Sequence, residues 1–115
     1  MKSFLSEGDP MAQEKRRSER YPFFASAELI EDKSDVRITT RLSELGLYGC
    51  YLDMMNPFPA GTSVLIKISE SPATFEAHAT VVYSQPNMGM GVAFRDVEER
   101  YLKVLQKWMT DAQKR

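Results

Sequence analysis

Four cations crowd into six positions near the start of this chain. In "QEKRRSERYPFF", Lys15, Arg16, Arg17 and Arg20 stand directly before an aromatic run. Arginine does chemistry that lysine cannot. Its planar fork grips a phosphate with two bonds. The same fork matches the N7 and O6 acceptors of guanine. Its flat face stacks on a base. A charge run before a domain is ordinarily a solvated linker. Here Arg20 abuts an anchored strand, so it stays close to whatever that strand belongs to. Three arginines in such a segment suit a small anionic nucleotide held against a protein surface.

The bulk composition keeps that site local. The chain has 115 residues, 43% hydrophobic and 27% charged, with a formal net charge of −1. A general polyanion binder carries a large positive excess, so DNA or RNA is not the expected partner. One cysteine, Cys50, allows no internal disulfide and fits a reducing cytoplasm. No apolar run approaches ~18 residues, the length a membrane-spanning helix needs. The start, "MKSFLSEGDPMAQEK", has acids where a signal peptide needs an apolar stretch. The expected location is the cytoplasm, as a monomer or homodimer.

Other chemistry has little support. His78 alternates with Ala77 and Ala79 and reads as an outward strand residue. One histidine and one cysteine cannot build a histidine-rich metal site. Cys50 follows a glycine, begins an apolar strand and reads as a small core filler. The acids are scattered over turns, strand faces and a helix start. Nothing matches a phosphate-binding loop or a nucleophile elbow. The expectation is a binding protein with no cofactor and no metal, not an enzyme.

The elements that must position the arginines read as follows. Residues 1–14 mix Gly, Pro, Ser and acids without periodicity, which predicts a flexible tail. A single domain over residues 15–115 follows. Pro22 favours an extended chain at Tyr21. From Phe23 the period is two, with Phe23, Ala25, Ala27 and Leu29 on one face. "EDKSD" is a turn, "VRITTRLS" a second strand, and "ELGLYG" a break carrying two glycines. "CYLDM" is a short third strand, ended by "NPFPAGT". "SVLIKIS" puts Val64, Ile66 and Ile68 on one face. "TFEAHATVVYS" puts Phe75, Ala77, Ala79, Val81 and Tyr83 on one face. "MGMGVAF" offers Met90, Val92 and Phe94 inward. Six short strands joined by tight turns predict an antiparallel barrel or sandwich. At the end, Val97, Tyr101, Val104, Leu105, Trp108 and Ala112 recur at helical spacing. Asp96 is the expected cap, with Glu99 completing a capping box and Lys114 and Arg115 at the negative end. The helix is expected to close one mouth of the barrel.

Taken together, these features resemble the PilZ domains of bacteria. That family carries Arg-x-x-x-Arg before its first strand and Asp/Asn-x-Ser-x-x-Gly at the end of its second. "RRSER" places Arg16 and Arg20 in the first motif. "RYPF", "NPFPAGT", "MGMGVAF" and the terminal helix follow in the family's order, over roughly residues 14–110. The resemblance implies a mainly β fold, a six-stranded antiparallel β-barrel with a C-terminal α-helix. It implies cyclic di-GMP as the ligand, held by Arg16 and Arg20, with Arg17 and Lys15 adding charge. The residue before the first arginine, here Lys15, bears on whether one or two ligand molecules bind. The implied activity is that of a receptor that changes conformation on binding and signals to a protein partner. The alternative is a degenerate PilZ module that binds no nucleotide and works as a protein adaptor.

The second motif has two placements. "RLSELG" keeps Ser43 and Gly46 but puts Arg41 where an acid or amide belongs. "ELGLYG" puts Glu44 at the acid position and Gly49 at the glycine, with Gly46 replacing the serine. We adopt the second, because Gly49 is followed directly by "CYLD". The expected ligand contacts are therefore Arg16, Arg17, Arg20, Glu44, Gly46 and Gly49. A missing hydroxyl against a charged phosphate is worth about 1.5–3 kcal/mol, roughly ten- to a hundredfold in affinity.

Overall fold

The computed structural model describes residues 20–114. The expected tail over residues 1–14 lies outside them, as do Arg16 and Arg17.

Six strands form a closed antiparallel barrel. They are β1 (Arg20–Glu31), β2 (Arg37–Gly46), β3 (Gly49–Asp53), β4 (Ser63–Glu70), β5 (Ala73–Gln85) and β6 (Gly89–Arg95). The order around the barrel is β1-β2-β3-β6-β5-β4, and β4 closes back onto β1. A single helix, α1 (Glu99–Gln113), follows.

Alternation decides what goes inside. Phe23, Ala25, Ala27 and Leu29 of β1 are buried, as are Val64, Ile66 and Ile68 of β4 and Phe75, Ala77, Ala79 and Val81 of β5. A small barrel has a narrow interior, so small and large side chains must be matched across it. The register does this. Ala27 lies opposite Ile68, Ala77 opposite Ile66, and Ala79 opposite Val64. The turns follow local chemistry. Glu31 accepts hydrogen bonds from the backbone amides of Lys33 and Ser34 and from the Ser34 hydroxyl, which closes the β1–β2 turn. Gly61 has φ +94°, a conformation that favours glycine, in the turn before β4.

Helix α1 covers one end of the barrel. Leu105, Trp108 and Met109 are buried on it. The Trp108 ring stands 5.3 Å from Phe23, and Tyr101 packs edge-on against Phe75 at 6.1 Å. Gln113 Nε2 donates to the Tyr21 hydroxyl at 3.1 Å. The last turn of the helix thus holds the first turn of chain in β1, next to Arg20. No described helix is long and apolar enough to cross a membrane.

Four sequence expectations need correction. "ELGLYG" is not a break throughout. Glu44, Leu45 and Gly46 continue β2, because each has a cross-strand partner in β1 and Leu45 is fully buried. Only Leu47 and Tyr48 leave the strand. Asp96 does not cap α1. It has φ +51° in the turn out of β6, and the N-cap is Glu98, with no side-chain cap bond. The Glu98 carboxylate instead accepts from Arg100 Nε at 3.2 Å. Glu99 accordingly opens the helix instead of completing a capping box. At the other end, Lys114 is the C-cap and stands at the negative end as expected, while Arg115 lies outside the described residues. Tyr83 does not join Phe75 and Val81 inside. An irregularity between Val81 and Tyr83 shifts the register against β6 and turns the tyrosine onto the outer face.

Cys50 is fully buried, as its core reading requires. Burial pushes its thiol up to about 12, and the positive Arg20 offsets this only slightly. The folded pKa lies above the unfolded value of about 8.5. The stabilisation is therefore complete below about pH 8.5 and is lost as pH rises toward 12. The expected outcome is a thiol that ignores a disulfide reagent at pH 8 until the protein is unfolded, measured by thiol titration with and without denaturant. Gly49 supplies a second expectation. A Cβ there would meet the Val92 carbonyl oxygen at 2.2 Å, a main-chain atom held by the β3–β6 ladder. Gly49→Ala should cost about 1–3 kcal/mol of stability, read from urea unfolding.

Candidate ligand-binding face

The outer face of β2, β3, β6 and β5 is built on one row of cross-strand partners. Pro22 of β1 pairs with Glu44 of β2, and Glu44 with Tyr51 of β3. Tyr51 pairs with Gly91 of β6, and Gly91 with Tyr83 of β5. Alternation fixes their direction. Leu45, Cys50, Leu52, Met90 and Val92 are buried, so Glu44, Tyr51 and Gly91 point away from the core.

Gly91 lets the two tyrosines meet. A Cβ at Gly91 would lie 2.4 Å from the Tyr83 ring, and one at Gly89 would lie 2.8 Å from the Tyr51 ring. The rings therefore rest on bare β6 backbone, 6.0 Å apart and tilted by 30°. Arg20 Nη1 donates to the Tyr83 hydroxyl at 3.4 Å, across 63 residues of sequence. The Tyr51 hydroxyl donates to Gln85 Oε1 at 2.7 Å. Partial burial, then the neighbouring Tyr83, Asp53 and Glu44, hold the Tyr51 hydroxyl above the usual phenol range. It stays a donor at neutral pH.

Beside this row lies a tight polar cluster. Asp53 of β3 pairs with Arg41 of β2. Its carboxylate accepts from Arg41 Nη2 at 3.1 Å, from Arg41 Nε at 3.3 Å and from the Ser43 hydroxyl at 3.0 Å. Ser43 can join because β2 is irregular there. Leu42 pairs with Leu52 and Glu44 with Tyr51, so Ser43 is the extra residue. The Arg41 guanidinium also stands 5.3 Å from the Phe24 ring.

Of the expected ligand contacts, Arg20, Glu44 and Gly46 come together. Gly46 is the register partner of Arg20, and Glu44 lies two residues along the same strand. Gly46 has ordinary strand backbone. Gly49 is accounted for by its close approach to Val92 alone. His78 is exposed on the outward face of β5, opposite Leu65 and Arg95. Sequence reading missed Tyr51, Tyr83 and Asp53. Tyr51 was accessible from alternation, since Cys50 and Leu52 on either side are apolar. The glycines of "MGMG", two apart, were a sign that something lies close on one face of β6. Tyr83 gave no such sign, because its direction depends on the register shift.

A family model for the PilZ domain matches residues 14–111. No curated protein matches the chain. Among solved structures, the chain is similar to the PilZ domain with c-di-GMP of YcgR from Escherichia coli. The TM-score is 0.70 at 14% identity, covering 87% of this chain and 92% of that one. It is similar to the Bacillus subtilis inhibitor of motility MotI/DgrA, with TM-score 0.69 and 16% identity. That match covers 85% of this chain but only 51% of the Bacillus protein. It is also similar to the PilZ domain of CeSA from a cellulose-synthesizing bacterium, with TM-score 0.66 and 15% identity, covering 84% and 99%. At these identities the likeness shows a shared fold. With the six-stranded barrel, the capping helix and the family match over most of its length, this chain belongs to the PilZ domain family.

Proposed function

We propose that this protein is a cytoplasmic receptor for cyclic di-GMP that passes the binding event to a protein partner. The observation that carries the reading is the position of Arg20. It stands in register with Gly46 at the end of β2 and reaches the Tyr83 hydroxyl on the outer face. The YcgR domain of similar fold was solved with c-di-GMP. Arg16 precedes Arg20 by four residues, and four residues of chain reach at most about 14 Å. Two guanidiniums within that reach can take separate phosphate or guanine edges of one dinucleotide. Arg17 and Lys15 add local charge. Glu44 and Gly46, beside Arg20 at the end of β2, form the opposing wall. Residues 15–115 act as the binding domain. The function is recognition and relay, with no catalytic step.

One observation favours a second reading, a PilZ module that binds no nucleotide and serves as an adaptor. In the "RLSELG" placement, Arg41 stands at the acid position, and the Ser43 hydroxyl is already bonded to Asp53. A serine so held has less to offer a phosphate.

Calorimetric titration with cyclic di-GMP tests both. Binding by the wild-type chain supports the receptor, and its absence at millimolar ligand supports the adaptor. Given binding, Arg20→Ala should cost about 1.5–3 kcal/mol, the worth of a charged hydrogen bond. His78→Ala should leave affinity unchanged. Equal binding by the wild type and Arg20→Ala would misplace the site. In the same titration, Ser43→Ala should bind like wild type. A loss of tenfold or more, about 1.4 kcal/mol, would move the second motif to Arg41, Ser43 and Gly46.

A further inference from the structure

We infer that Tyr51 and Tyr83 form an aromatic platform that carries one base of the ligand, and that Glu44 reads the edge of that base. This rests on the receptor reading and names the part of the surface that selects the nucleobase.

Rings that cover glycines are often no more than packing, replacing the contacts a missing side chain would have made. Three observations here go further. First, the rings are only half-buried, so their outward faces remain open, and they lie close together at 6.0 Å and 30°. Second, both hydroxyls are tied down at the rim. Gln85 accepts from Tyr51, and Arg20 donates to Tyr83. The rings are pre-oriented, so little side-chain freedom remains to be lost on stacking. Third, the row continues into an exposed carboxylate. Glu44 is the register partner of Tyr51, and its charge is felt at the Tyr51 hydroxyl.

Cation, flat apolar surface and carboxylate are the three groups a guanine nucleotide needs. Arginine meets the phosphate or the N7 and O6 acceptors. The aromatic faces take the base plane, as in proteins that bind unpaired bases. A carboxylate accepts from the N1–H and N2–H donors of guanine. Adenine carries only a hydrogen at C2 where guanine has its 2-amino group, and its N1 is an acceptor that a carboxylate repels. Glu44 therefore favours guanine over adenine.

The test uses the full chain and two probes, cyclic di-GMP and cyclic di-AMP, titrated in parallel. Tyr51→Leu and Tyr83→Leu should each weaken cyclic di-GMP binding roughly 5- to 100-fold, the range for loss of one base–aromatic stack. Tyr51→Phe and Tyr83→Phe keep the rings and should retain most of the affinity. Glu44→Gln should narrow the preference for the guanine ligand over the adenine one. Melting curves run alongside separate lost binding from lost folding. Should the leucine variants fail to fold, wild-type protein decides the matter by nuclear Overhauser contacts between tyrosine ring protons and the base proton of bound ligand. Leucine variants that bind like wild type, while Arg20→Ala is impaired, would overturn the platform and leave the receptor standing. Absence of base-to-tyrosine contacts in a saturated complex would overturn it equally. No binding of either probe by wild type would remove the receptor reading, and the platform with it.

Discussion

Strand β1 has to serve two neighbours at once. Residues 20–30 pair with β2, and residues 26–31 pair with β4 as well, so the second half of the strand closes the barrel. Closure removes the sheet edges that would otherwise expose unpaired backbone groups. It also crowds the interior, which is why the inward positions of β1 between Phe23 and Leu29 are alanines. The first half of the strand lacks the β4 partner. Helix α1 covers it, through Trp108 on Phe23 and Gln113 on Tyr21. That division leaves Arg20 at the one end of β1 that is anchored from below by the helix and open to the outer face.

The outer face owes its chemistry to small departures from regular pairing. Unbroken alternation after the buried Leu42 would turn Glu44 inward and Leu45 outward, and would put Tyr83 beside Val81 in the core. The irregularity in β2 leaves Ser43 as the extra residue, bonded to Asp53, and returns Glu44 to the outer face and Leu45 to the core. The one in β5 brings Tyr83 outward to Gly91 and Arg20. Each extra residue switches the direction of everything that follows it, because side chains alternate with a period of two.

The charge arrangement follows the same economy. The chain is close to neutral, and the described ion pairs are exposed and local: Arg41 with Asp53, Arg37 with Glu28, Lys67 with Glu76. Such pairs add little stability. Among the described residues Arg20 is placed differently, partly buried and turned to a tyrosine hydroxyl instead of a carboxylate. A cation held by a neutral partner keeps its charge available to an anion. This is the electrostatic argument for ligand binding on that face, and it needs no net positive charge on the molecule.

Much of this was legible in the residues themselves. Period-two burial in "FFASAELI", "SVLIKIS" and "TFEAHAT" marked the strands, because a strand between core and solvent must alternate. The 3.6-residue stripe through Tyr101, Leu105 and Trp108 marked the helix, and the arginine spacing with "RYPF" pointed to the family. Cys50 as core and His78 as surface followed from their neighbours. Tertiary structure alone decided the rest. Whether Glu44 to Gly46 would break or continue β2 depended on partners in β1 and β3 lying far away in sequence. The Asp96 cap failed because the turn out of β6 set that backbone before the helix began. The meeting of Arg20, Tyr51 and Tyr83 needed three strands in a particular register, with a glycine between two of them. Local sequence determines which face a residue takes within its own strand. It does not determine where a ladder slips by one, and that slip placed the tyrosine on the outside.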